Sequence, residues 1–220
     1  MKNLLFGLIA TATFVLNMNA QANTNNPYDY VGKMHNEIVL DFLRINTSNN
    51  MSINDILTKV KPVVLANSIY KAKYSKTYYG LTEEQVRQNM PDVVNNFKNT
   101  INTQNLTTNT KNYLNELLGF IVSTSSNSKI YSDIVSFENR VSSSKISQKE
   151  KELVLGCSSI GRYSSNLWLI QNPTPNSNSN KFWTILGDII GAGLGWSGGL
   201  AGIVACGSAG SLIGNQIDGK

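Results

Sequence analysis

Removing an expected 22-residue leader from the 220 residues leaves about 198, enough for one sizeable core and short for two domains. The 19 Lys and Arg against 14 Asp and Glu give a net charge of +5, and one of those positives, Lys2, belongs to the leader. The others are dispersed without a dense run, which excludes the basic stripe that nucleic-acid binding requires. Charged residues make up only 15% of the chain, so Asn, Ser and Thr supply most of the polar surface.

Residues 1–22 read as a secretory signal. Lys2 gives the positive start, residues 4–16 the apolar middle, and Ala20-Gln21-Ala22 the small-x-small exit. Cleavage is expected after Ala22, with Ala20 as second choice. A membrane anchor fits less well, because the apolar run is short and an Asn-rich segment follows it. With no cysteine at the exit, no lipid attachment is expected. The chain is therefore expected in the periplasm, at the cell surface or outside the cell.

Beyond the leader, helical periodicity dominates and strand alternation is scarce. Asn26-Pro27 opens a helix over 28–45, with Val31, Met34, Ile38, Phe42 and Ile45 on one broad face. Ser52 with Asp55 forms a capping-box pattern leading into 53–74, bent or split near Pro62. Thr82 with Gln85 starts a helix toward Phe97, kinked at Pro91. A polar linker over 99–108 precedes a helix over 110–124, buried through Tyr113, Leu114, Leu117, Leu118 and Ile121. After a loop at 123–128, Ile130, Ile134, Phe137 and Val141 carry the next stripe. Ser147 with Glu150 opens a helix over 148–169, and 172–180, with two prolines among Asn and Ser, reads as a linker. The chain is expected to be an all-α helical bundle of about seven or eight helices. The body spans 23–171, and 181–220 form a C-terminal glycine-rich helical hairpin.

The candidate chemistry is thin. His35 is the sole histidine, and with Glu37 nearby it offers a weak polar site. The plainer reading is a histidine that caps or hydrogen-bonds a neighbouring loop. Cys157 and Cys206 are an even pair in an oxidising compartment, and a bridge between them would stabilise by roughly 4 kcal/mol in the chain-entropy view. Two buried free thiols explain the same pair, because Cys206 sits where a small residue is needed. Ser158, Ser159, Ser164 and Ser165 surround Arg162 and Tyr163 without a nucleophile-elbow pattern. The glycines lack the Gly-Lys-Ser/Thr ending of a phosphate loop. The sequence points to no enzyme, no cofactor, no metal and no identifiable small-molecule ligand.

The tail is more distinctive. Gly187, Gly191, Gly195 and Gly199 recur at steps of four, and Gly198, Gly202, Cys206, Gly210 and Gly214 form an overlapping ladder. On an α-helix each step of four drifts about 40°, so each ladder is a narrow stripe on which another backbone can lie close. Each interior glycine costs about 1 kcal/mol relative to alanine, so tight packing or a bilayer has to offset several kcal/mol. Two readings compete. Residues 182–195 and 200–217 form two helices, broken near Ser197-Gly198-Gly199, that pack as a glycine-zipper hairpin against the body. Alternatively the tail enters a membrane, alone or by self-association, since the uncharged run 189–217 exceeds the roughly 20 residues of a span. Gly and Ser replace much of the Leu and Ile of a stable span, which favours the hairpin.

Asn26-Pro27-Tyr28-Asp29-Tyr30-Val31-Gly32 with His35-Asn36 resembles the opening of small exported helical proteins of Bacteroidota-type bacteria. Ser158-Ser159-Ile160 with Arg162-Tyr163-Ser164-Ser165 and Trp168 resembles their later helix, and residues 183–214 their glycine-rich tail. The resemblance implies export and carries no site residue with it. The glycine ladder is also similar to tails of bacteriocin-like peptides, which implies membrane activity as the alternative to a structural or binding role.

Overall fold

The computed structural model describes residues 22–46, 50–75, 77–89, 92–123, 127–171 and 182–218, so residues 1–21 of the expected leader and the expected linker 172–180 lie outside it. The described residues form α1 (Asp29–Ile45), α2 (Ile53–Ala66), α3 (Ser68–Tyr74), α4 (Glu83–Asn89) and α5 (Val93–Thr103). They continue with α6 (Thr108–Ser123), α7 (Asn127–Ser142), α8 (Gln148–Gln171), α9 (Phe182–Leu194) and α10 (Gly199–Asp218). A 3₁₀ turn, Gly195–Gly198, joins the last two, and no strand occurs among the described residues. The chain is all-α.

Local signals set most of the helix starts. Ser52 Oγ accepts from the Asp55 amide at 3.1 Å while the Ser52 amide donates to Asp55 at 3.2 Å. The Thr82–Gln85 and Ser147–Glu150 pairs make the same reciprocal bonds. Each such cap satisfies donors that the first helical turn leaves orphaned, worth about 1 kcal/mol. The expected stripe of α7 is buried in full, through Ile130, Ile134, Phe137 and Val141.

The structure departs from the sequence reading at four places. Ile45, expected on the buried face of α1, is 67% exposed at the helix's last residue, one turn past Phe42, with which the buried face ends. The segment 53–74 does not break at Pro62, which lies inside α2. It breaks at Asn67, whose extended backbone (ψ 127°) stops α2 and whose side chain caps α3 by accepting from the Ile69 and Tyr70 amides. Helix α5 runs through half of the expected linker to Thr103, because Phe97 and Ile101, one turn apart, are both buried. The expected helix from Thr82 toward Phe97 is two, α4 and α5, and the helices among the described residues are consistent with the expected bundle of about seven or eight.

Helix α10 is the axis of the bundle. Every residue from 201 to 214 is buried, as expected for a helix that is apolar around its whole circumference. It packs against α9 along its length and against α1, α2 and α8 on its other sides. Helix α8 lies beside it and carries α1 and α7. Gly32 lets α1 sit on α8: a Cβ there would lie 2.3 Å from the Ser159 carbonyl oxygen.

Candidate functional site

The hairpin contact is made by backbone. A Cβ on Gly187 would meet the Gly210 carbonyl oxygen at 2.4 Å, one on Gly191 the Cys206 oxygen at 2.2 Å, and one on Gly195 the Gly202 oxygen at 2.1 Å. From the other helix, Gly202 and Gly210 would strike the Gly195 and Gly187 oxygens at 2.0 Å, and Gly214 the Trp183 oxygen at 2.2 Å. Gly199 is different and corrects its expected packing role. It has open space around its Cβ position and a φ of +61°, so it is the turn residue that lets the chain reverse into α10.

Two polar clusters lie within the bundle, the second of them against this hairpin. In the first, Arg162 of α8 is completely buried. Its Nε donates to Glu138 Oε2 at 3.0 Å and its Nη2 donates to Asp29 Oδ1. Glu138 also accepts from Asn23 Nδ2 and Asn26 Nδ2, both at 2.8 Å, and from Ser158 Oγ at 3.2 Å. A carboxylate surrounded only by donors is the ionised form. Burial pushes the Glu138 carboxyl up, opposed by Arg162 and the two asparagine amides. Burial alone would lower the Arg162 guanidinium, but Glu138 and Asp29 raise it. Tyr163 Oη donates to Asp29 Oδ2 at 2.9 Å, and burial followed by the Asp29 charge raises its phenol.

The second cluster joins α1, α8 and α9. His35 Nε2 lies 3.2 Å from Asp188 Oδ1, and Ser164 Oγ donates to Asp188 Oδ2. Asn36 Nδ2 donates to the Tyr163 carbonyl at 2.8 Å, which turns Asn36 Oδ1 toward His35 Nδ1 at 3.0 Å. Both ring nitrogens therefore face side-chain oxygens, Asp188 Oδ1 and Asn36 Oδ1. His35, Asn36, Ser164 and Asp188 are all fully buried. Histidine, aspartate and serine are present here in the wrong order for nucleophilic catalysis. The serine bonds the aspartate and not the histidine, so the imidazole does not face its hydroxyl as a triad requires.

Glu37 does not join His35. It turns away and accepts from Asn67 Nδ2 at 3.1 Å. Of the two readings of the cysteine pair, the structure has free thiols: Cys157 and Cys206 are both buried and unbridged, and burial pushes each up to about 12. Cys206 Sγ donates to the Tyr79 carbonyl at 3.2 Å. No group of three or more His, Cys, Asp or Glu among the described residues is placed to hold a metal.

Neither of two recesses reaches these clusters. One, of about 60 Å³ and almost wholly apolar, lies between α4 and the hairpin, against Leu81, Val86, Trp183, Ile190 and Ile213. It is well below the roughly 150 Å³ that admits a benzene ring. The other is a wide, open recess beside Tyr74, Tyr79, Glu152 and Leu200.

Sequence reasoning missed Asp188 as the partner of His35, and missed the Asp29–Arg162–Glu138 network. A signal was available for each. Asp188 is the only charge between Lys181 and Asp218, and Arg162 the only one from 153 to 180. A lone charge in an apolar helix requires a buried partner. Comparison with family models, curated proteins and solved structures finds no match for this chain.

Proposed function

We propose that this is an exported, non-enzymatic helical protein with a structural or binding role, in which the glycine-zipper tail is an internal packing element. The observation that carries this reading is the closure of the tail on itself. The glycine faces that could receive another membrane helix are occupied by each other's backbone, and the bundle surrounds α10. The two charged clusters support the non-enzymatic half, since their members bond one another away from either recess. The partner this reading keeps open is a second copy of the chain through the C-terminal tail, with no nucleic acid and no identifiable small-molecule ligand.

A membrane-active role is the second reading, favoured by one observation. Within Trp183–Asp218 an 18-residue window reaches a mean hydropathy of 1.6, long and apolar enough by length and composition to cross a bilayer. Helix α10, with 20 residues, is about 30 Å long, the thickness of the hydrocarbon core. Cell fractionation followed by an alkaline carbonate wash separates the two. Release of the processed protein into the supernatant is expected, and retention in the washed membranes would replace the first reading with the second.

A further inference from the structure

We propose that cleavage after Ala22 completes the buried charge cluster, because the new α-ammonium group of Asn23 forms an ion pair with Asp29. The inference rests on the export reading and gives it a structural consequence. Asn23 is not a loose end: it is 7% exposed, whereas Ala22 before it is exposed. Its backbone nitrogen already donates to Asp29 Oδ1 at 2.9 Å. Its side chain spans the cluster, donating from Nδ2 to Glu138 and accepting the Asn25 amide on Oδ1 at 3.1 Å. Its carbonyl accepts from the Asn26 amide at 2.9 Å. The nitrogen is thus fixed at the aspartate before any charge is placed on it.

The charge balance makes the same argument independently. Asp29 and Glu138 bring two carboxylates against the guanidinium of Arg162, and among the described residues the other donors to these carboxylates are neutral. One negative charge is left uncompensated at a site where Glu138 and Arg162 are fully buried and Asp29 is 21% exposed. Hydrolysis of the Ala22–Asn23 peptide bond consumes one water, leaving a carboxylate on Ala22 and an ammonium on Asn23. The cluster then holds two charges of each sign. The leader's removal thereby becomes part of the folding of the mature chain, and the processed form is the more stable one.

The test uses the chain exported with its own leader. Mass spectrometry of the purified product is expected to show Asn23 as the N-terminus. Its α-amino group is expected to resist acylation near pH 8, where a free α-amino group, with a pKa of about 7.7–8.0, reacts. A glycine inserted between Ala22 and Asn23 moves the ammonium by up to about 3.8 Å. The processed insertion variant is expected to melt roughly 4 °C or more below the parent, and the gap is expected to vanish when both carry Asp29→Asn. An uncleaved or unexported chain overturns the inference together with the export reading. A product starting at Asn23 that acylates like a free amine, or that melts with the insertion variant, overturns the inference alone.

Discussion

Substituting Gly191 by alanine sets two effects of opposite sign against each other. By helix propensity alone the change stabilises α9 by about 1 kcal/mol. In the hairpin, the added methyl carbon would sit 2.2 Å from the Cys206 carbonyl oxygen, where ordinary contact begins at 3.4 Å. The obstacle is backbone in the middle of a helix, so no rotamer relieves it, and α9 and α10 must part by about 1.2 Å at that level. Overpacking of this kind costs typically 1–3 kcal/mol. Separation also loosens the neighbouring Gly187–Gly210 and Gly195–Gly202 contacts, each as close as this one. Subtracting the propensity gain and counting the loosened neighbours, the expected net effect is a destabilisation of about 1–2 kcal/mol, or a fall in Tm of roughly 2–8 °C for a chain of this size. Gly119→Ala in α6 is the control, since nothing lies within 4 Å of its Cβ position. It gains the propensity term alone and is expected to raise Tm by up to about 4 °C. Urea and thermal melts of the two variants make the comparison. If Gly191→Ala stabilises as Gly119→Ala does, the backbone contact between α9 and α10 is refuted.

The remaining predictions concern the buried polar groups. His35→Ala removes the ring partner of buried Asp188, leaving it only the Ser164 hydroxyl, and is expected to cost about 3–5 kcal/mol in urea unfolding, whereas His35→Leu with Asp188→Leu recovers most of that loss. Equal losses in the single and double variants would falsify the pairing. Cys157 and Cys206 are expected to resist a thiol-selective alkylating agent in the native protein and to take up two equivalents after denaturation. Alkylation only after reduction would instead mean a bridge. Burial opposes ionisation of Glu150, but hydrogen bonds from Thr107, Ser147 and Thr110 outweigh it and hold the carboxyl down to about 2. Its pKa is depressed by folding, so its contribution is complete above the unfolded value of about 4.3 and is lost as pH falls toward 2. Glu150→Gln is expected to flatten the stability profile in that window, and an unchanged profile would count against the cap.

What the sequence disclosed depended on how local the cause was. The three capping boxes and the α7 stripe are written within a turn or two of chain, and they were legible. Asn67 was not, because a segment containing proline draws the eye to the proline. The break came instead at the residue whose side chain could bond both Glu37 and the next helix. Ile45 follows the periodicity of α1, but periodicity cannot say where the covering elements end. The glycine ladder identified a close contact without its partner or geometry. It therefore could not separate Gly199, needed for a positive φ, from Gly191, needed for space. The clusters around Arg162 and Asp188 join residues more than 100 positions apart, and only the fold brings them together.

On the proposed reading, α10 is the buried axis of a bundle that needs no membrane around it. Hydrogen exchange of the processed protein in buffer, without lipid or detergent, tests it most directly. The amides of 201–214 are expected to be among the slowest in the chain, exchanging only through global unfolding. Fast exchange of those amides in buffer, with protection appearing only when lipid vesicles are added, would contradict the account and make the tail a membrane element.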